Sequence, residues 1–293
     1  MILLVGKVGR CQNNVFKNKN LYENEGFLCY NAGMTWALKR QITYILIIFL
    51  FFSILGFFIS YPYLNKKPTC NDQMQNGDES GVDCGGSCAL ACLAEVDQIS
   101  LLWSRVFKVV PGRYNAVAYL ENKNINTAIY KIKYRFRFAD ENNVYIGKRE
   151  GETSIPPAGA FAIFEPAVDL GSSVPVYTTF EFTETPVWVK VPKERVEQIN
   201  FTIRDITLIN EDTSPALYAK ITNNSLFIVP DLNVVTILYD ELGNAVSASR
   251  TYLDSLRAEE SADINFTWPE AFTSKVVNKE IIPMFNIFNV KLN

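Results

Sequence analysis

The sequence predicts a mainly β protein: two tandem antiparallel β-sandwiches that follow a single transmembrane helix and a small disulfide-rich segment. Three observations carry this. Gln41 to Asn65 runs twenty-five residues without a charged side chain, and four of the six cysteines cluster just behind it. Beyond Ala94, apolar and polar residues alternate in short runs split by Pro and Gly, the period of strands with one buried face.

A chain of 293 residues, 48% hydrophobic and 13% aromatic, can bury more than one core and is not a disordered tail. It contains no histidine. That removes the commonest general base, the Ser/His and Cys/His nucleophile pairs and the commonest metal ligand. No GxxxxGK[ST], GxGxxG or GxSxG stretch occurs. The expectation is a protein that is not an enzyme, uses no cofactor and binds no nucleic acid.

Residues 1–40 form a basic arm in which Lys7, Arg10, Lys17, Lys19, Lys39 and Arg40 outnumber Glu23 and Glu25. Met34, followed by Thr-Trp-Ala-Leu-Lys-Arg, is the more typical start before an anchor, so residues 1–33 need not belong to the mature protein. Residues 41–63 form the predicted span. Crossing the hydrocarbon core takes about twenty apolar residues, and Ile42 to Tyr61 supplies them, with Trp36, Tyr44, Tyr61 and Tyr63 at the edges. A cleaved signal peptide is the rival reading, but the run is long and no Ala-x-Ala-like site follows. Basic residues before the span predict a single-pass protein of the cell membrane, with its N-terminus in the cytoplasm. Lys66 and Lys67 oppose this weakly. Disulfides persist outside the cytosol, so the cysteines place the bulk of the chain on the extracytoplasmic side as well.

Residues 64–95 are a predicted disulfide-rich stalk. Cys70, Cys84, Cys88 and Cys92 are an even set in a segment too polar to build its own core, which predicts two disulfides in any of three pairings. Zinc fits poorly without CxxC pairs or histidine. Asp72, Asn76, Asp78, Glu79 and Asp83 crowd the same loop and make calcium a candidate ion. Counted from Asp72, residues Asn76, Gly77 and Asp83 fall on positions five, six and twelve of an EF-hand loop. Met74 at position three and the absence of flanking helices favour a solvated, disulfide-tied turn. The register Cys70, Asp72, Asn76, Glu79, Asp83, Cys84, Gly85, Gly86, Cys88 resembles a CxDGxxNxxExxxDCGGxC motif found beside membrane anchors in bacterial surface proteins. Gln73 stands where that motif has Gly.

Residues 96–197 are the first predicted sandwich. Arg113–Leu120 and Tyr130–Phe138 alternate cleanly, and Ile132, Tyr134, Phe136 and Phe138 are expected inside, with Lys131, Lys133, Arg135 and Arg137 in water. Further strands are predicted at 144–149, 159–165, 178–183 and 187–191. Residues 198–293 are the second sandwich and repeat the first: Asp140 maps to Asp240, Asn122 to Asn223 and Pro166 to Pro269, at offsets of 100, 101 and 103. The two aspartates are expected to cap turns by accepting nearby backbone N–H groups. Asn200-Phe-Thr202, Asn223-Asn-Ser225 and Asn265-Phe-Thr267 are sequon triplets of a kind that arises often by chance.

Residues 199–292 resemble an FxLYD-type domain, carried by Leu238-Tyr239-Asp240, Gly243-Asn244, Ser255-Leu256 and Ile264 to Pro269; Thr236 replaces the leading Phe, which the first copy keeps as Phe136. The resemblance implies a fibronectin/Ig-like sandwich outside the cytoplasm, with no assigned active site. The functional expectation is a membrane-anchored scaffold or binding protein that displays its sandwiches to a protein partner in the cell envelope. A calcium-stiffened spacer is the alternative, and a carboxylate-based hydrolase a remote one.

Overall fold

The computed structural model describes residues 36–64 and 69–292. The arm before Trp36, including Cys11, Cys29 and the candidate start at Met34, lies outside the described residues, as do Lys66 and Lys67.

Helix α1 (Trp36–Leu64) begins five residues before the predicted span. From Trp36 to Tyr61 it is long and apolar enough to cross a membrane, with a mean hydropathy of 2.7 and none of its length buried. Thr43 and Arg40 find partners along the helix. Thr43 Oγ1 donates to the Lys39 carbonyl at 2.9 Å, and the Arg40 guanidinium lies 4.7 Å from the Trp36 ring. An aromatic ring and a guanidinium at the same helix end suit the polar boundary of a bilayer. The described residues from Thr69 onward form a separate compact unit.

That unit is two sandwiches with one topology. In the first, β1 (Ser100–Val110), β2 (Arg113–Asn122) and β5 (Gly159–Asp169) form one antiparallel sheet in the order β1-β2-β5. In the facing sheet, β3 (Thr127–Ala139) is central, with β4 (Tyr145–Ile155) on one side. On its other side lies a broken strand, β6 (Tyr177–Phe182) and β7 (Trp188–Lys190). Ile132, Tyr134, Phe136 and Phe138 all point into the core, none more than 5% exposed. The run SLLWSRVFKVV did not announce β1, because register shifts at Leu101/Trp103 and Lys108/Val110 break its alternation.

After the short helix α2 (Lys193–Gln198) the plan repeats. The edge strand β8 (Phe201–Ile209) pairs with β9 (Ala216–Asn223), which pairs with β12 (Ser261–Thr267). Opposite, β10 (Phe227–Tyr239) lies between β11 (Ala245–Leu256) and the broken strand β13 (Asn278–Met284) and β14 (Lys291–Leu292). β3 and β10 are both 13 residues long, at an offset of 100. The expected fold class, tandem fibronectin/Ig-like antiparallel sandwiches behind an apolar helix and a disulfide-tied segment, is what the chain forms.

The sandwiches are not separate beads. The outer face of β1-β2-β5 lies on the outer face of β11-β10-β13, and Val235, Ile237, Ala248, Ile282 and Met284 join one core with Val117, Ala162 and Phe164. The strands cross. Arg105 of β1 donates to the Ala245 carbonyl at 3.4 Å, Asn115 of β2 to that of Ala248 at 3.3 Å, and Arg250 donates back to Phe164 of β5 at 3.4 Å. β11 therefore passes over all three strands of the facing sheet, as in crossed sheet packing. The result is a stack of four sheets with three apolar layers.

Comparing equivalent strands shows why only the middle pair of faces is joined. Shifted by 100, Arg135 and Arg137 of β3 become Val235 and Ile237 of β10, which are 1% and 0% exposed. The first sandwich's outer sheet instead carries an ion-pair lattice: Lys131–Glu152 at 2.6 Å, Arg135–Glu150 at 2.6 Å and Arg137–Glu181 at 2.9 Å. The basic row is thus neutralised by its neighbouring strands, the solvated face expected from the sequence. Such a charged outer face ends a stack, as polar terminal repeats do in repeat proteins.

Candidate functional site

The disulfide-tied segment is a polar structure held by two covalent crosslinks. Cys70 pairs with Cys88 and Cys84 with Cys92, one of the three pairings left open by the sequence. Gly85 and Gly86 lie at φ +82° and +48°, and a Cβ at Gly86 would run into the Asp78 carbonyl, so this corner admits only glycine. Gln73 adopts φ +61°. The chain turns here in the left-handed region that favours Gly, at a cost of roughly 1–2 kcal/mol for a residue with a side chain. Gln73→Gly is expected to stabilise this turn by about 1 kcal/mol, seen as slower exchange of the amides that bond Asp83. Unchanged exchange would contradict it.

The segment does not hang free as a stalk. Lys190 N–H donates to the Ala89 carbonyl at 2.7 Å, Ala91 N–H to Trp188 at 3.0 Å and Lys190 Nζ to Gly86 at 2.7 Å. Asp97 N–H donates to Asn124 Oδ1 at 2.8 Å, and Asn124 Nδ2 returns a bond to the Asp97 carbonyl at 2.8 Å. Residues 89–91 thus extend the sheet edge at β7 and fix the module to the first sandwich.

The five candidate calcium ligands are all in this loop, but the oxygens of the four carboxylates are turned toward its own backbone and side chains. Asp83 Oδ1 accepts from the Asp72 and Gln73 amides at 2.9 and 3.2 Å. Asp72 accepts from Met74 N–H and Asn76 Nδ2 at 3.0 and 2.9 Å. Asp78 accepts from Ser87 N–H and Oγ, both at 2.9 Å, and Glu79 from Asn76 N–H at 3.2 Å. Asn76 Oδ1 is buried without a partner. Among the described residues no three of these carboxylates converge; the one compact group joins Glu79 to Cys70 and Cys88, whose sulfurs are spent in a disulfide.

Hydrogen bonds from Asn76 and from Ser87 hold Asp72 and Asp78 below the usual carboxylate range. A depressed folded pKa means stability that is present above the unfolded value of 3.8 and lost as pH falls through the folded value. Amide exchange in residues 70–92 is therefore expected to accelerate below that pH while β3 and β10 stay protected. Uniform protection down to pH 2 would contradict this.

Two clusters, one buried and one half-buried, escaped the sequence reading. In the first sandwich Glu165, 7% exposed, accepts from the Tyr134 hydroxyl at 2.5 Å and pairs with Arg149 at 2.9 Å. Between the sandwiches Glu280 accepts from Tyr119 at 2.6 Å and from Tyr239 at 2.8 Å. Burial, then the bond to Glu280, pushes both phenols well above their ordinary value. Tyr239, the tyrosine of the LYD triplet, holds Glu280 from within the second sandwich, and it is the Tyr119 hydroxyl that reaches the same carboxylate from the first. The apolar run Val234-Val235-Thr236-Ile237-Leu238 was a legible signal, since a strand buried on both faces reads as a continuous apolar run. Asp140 and Asp240 cap turns as expected. Asp140 Oδ1 accepts from Asn142 and Val144 N–H, both at 2.9 Å, and Asp240 Oδ1 from Leu242 and Asn244 at 2.9 and 2.8 Å.

No family model matches the chain, and no curated protein matches it. Among solved structures it is similar to a red sea bream transglutaminase, at 9% identity and a TM-score of 0.20, over 64% of this chain and 31% of that one. A β-glucuronidase of glycoside hydrolase family 2 is similar at 10% identity and a TM-score of 0.21, over 75% of this chain and 29% of that one. A Bacteroides uniformis β-glucuronidase gives 11% and 0.19, over 60% and 26%. The chain spans less than a third of each, and likenesses at these scores carry no argument about fold or activity.

Proposed function

We propose that this chain is a membrane-anchored extracytoplasmic scaffold: α1 crosses the cell membrane once with its N-terminus in the cytoplasm, and the two sandwiches are displayed outside to a protein partner of the envelope. The observation that carries this reading is the four-sheet stack itself. Its two sandwiches are fused through an apolar layer and a shared Tyr–Glu–Tyr cluster, so they present their outer surfaces at a fixed spacing. Rigid presentation lowers the ordering cost of binding. The two disulfides fit an oxidising compartment, and the FxLYD resemblance points to the same side of the membrane.

Protease treatment of sealed cells expressing the full chain tests the topology. The expected result is cleavage of residues 69–292 in intact cells and protection of a tag on the N-terminus. Protection of the sandwiches until the cells are opened would overturn the reading. Crosslinking of the full chain in its native envelope should then return one stoichiometric protein partner, and its failure to do so would remove the scaffold role while leaving the anchor.

A further inference from the structure

The outer face of β8-β9-β12 is the counterpart of the face that seats the second sandwich on the first. In the first repeat it is apolar and covered; here it is open and polar. Aligned on the strand pairs, Val117 and Tyr119 of β2 become Tyr218 and Lys220 of β9. The edge strand also differs. Trp103 to Arg105 pair with β2 without interruption, whereas β8 shifts register between Arg204 and Thr207. The extra residue puts Asp205 at φ +56°. Bulges of this kind re-aim side chains and recur beside binding sites.

The bulge opens a groove of about 420 Å³ lined by Asp205, Tyr218, Lys220, Asp263 and Asn265. Tyr218 stands in its centre, 47% exposed, with Asn265 and Thr207 as its cross-strand neighbours. Lys220 lies between Arg204 and Asp263. Its ion pair with Asp263 is long, 3.7 Å, and both side chains remain open to solvent. Asp205, Asp263, Lys220 and Asn265 thus line the groove beside the one aromatic ring, and Arg204 and Thr207 adjoin it as the cross-strand partners of Lys220 and Tyr218, so acidic and basic groups are balanced across this face. A charged polymer of either sign would meet as much repulsion as attraction here. A neutral ligand rich in hydroxyls, with one apolar face, meets a donor or acceptor at each edge and a ring to lie on.

We propose that this groove is a carbohydrate-binding subsite that takes a neutral pyranose unit. The C–H face of the sugar stacks on Tyr218, and its hydroxyls bond Asn265, Asp263, Lys220 and Asp205. The subsite goes beyond the protein-display role: it takes a sugar in place of a protein on one outer face of the stack, and its test reads sugar binding whether or not a protein partner is found.

Saturation-transfer NMR tests it with the full chain in a detergent that has no sugar headgroup, using cellohexaose, maltohexaose and chitohexaose as probes. At least one hexaose is expected to receive transfer. Tyr218→Phe should retain binding, Tyr218→Ala should weaken it roughly tenfold, and Asp263→Ala should weaken it severalfold without changing the melting temperature. Both positions are on the surface, so an unchanged melt separates loss of binding from loss of fold. Absence of transfer to every hexaose, transfer undiminished in Tyr218→Ala, or displacement of the sugar by a charged peptide at equal concentration would overturn the proposal.

Discussion

Ile237→Arg is expected to uncouple the two sandwiches while leaving each folded. Ile237 is 0% exposed and lies in the layer between the facing sheets. Removing it forfeits the burial of an aliphatic side chain, about 2 kcal/mol, and its replacement brings an unpaired charge into that layer, with a penalty of several kcal/mol. A loss of about 4 kcal/mol or more exceeds what a crossed-sheet contact can absorb, so the single cooperative transition of the full chain should split in two under urea or heat. The Tyr119–Glu280–Tyr239 cluster would open with it, because its members come from both sandwiches. The inverse change supplies the control. Arg137→Ile is at the equivalent position of β3, where the side chain is half exposed and pairs with Glu181 at 2.9 Å. It should alter stability by no more than about 0.5 kcal/mol. A single unsplit transition for Ile237→Arg would show that the middle layer does not join the sandwiches in solution.

The pair Arg137 and Ile237 also marks how far the sequence could be read. Alternation placed Ile132, Tyr134, Phe136 and Phe138 in a core because their strand has one wet face, and a wet face writes itself into the sequence as Lys and Arg. β10 is dry on both sides, so its pattern is a plain apolar run that names no partner, and the contact between sandwiches was not foreseen. The edge strands were missed for a different reason. β1 and β8 each carry register shifts, and one extra residue inverts the parity on which strand reading depends. In the cysteine loop, residue types correctly announced a tied, polar turn. Whether five oxygens face an ion or face their own backbone is decided by φ angles at Gln73, Asp83, Gly85 and Gly86, which composition does not encode. The groove beside Tyr218 was invisible for the same cause, since it exists only through the bulge at Asp205.

Asn223→Ala is expected to unfold the second sandwich's upper corner and cost about 4 kcal/mol. The offset between Asn122 and Asn223 was plain in the sequence, but its physical reason lies in the corner each one ties. Asn223 is 0% exposed. Its Nδ2 group reaches the Phe227, Leu256 and Arg257 carbonyls at 2.7, 3.2 and 2.9 Å, and its Oδ1 accepts from Ser225 N–H and Oγ at 3.1 and 2.6 Å. One side chain thus joins the ends of β9, β10 and β11. Asn122 does the same in the first sandwich, donating to the Thr127 and Pro156 carbonyls at 3.1 and 2.8 Å and accepting from Asn124 N–H at 3.0 Å. Alanine removes the donor from three carbonyls at the ends of β10 and β11, and each one left buried without a partner costs about 1–3 kcal/mol. Asn223→Asp is no milder, because it turns a carboxylate oxygen toward carbonyl oxygens where the amide donated. Urea titration of both variants would check the pair, and a loss below about 1 kcal/mol for Asn223→Ala would mean that water replaces the amide and that the corner is held by its strands alone. The same geometry seals the Asn223-Asn-Ser225 triplet: an amide nitrogen shared among three carbonyls is closed to modification in the folded chain, whereas Asn200 and Asn265 stand exposed.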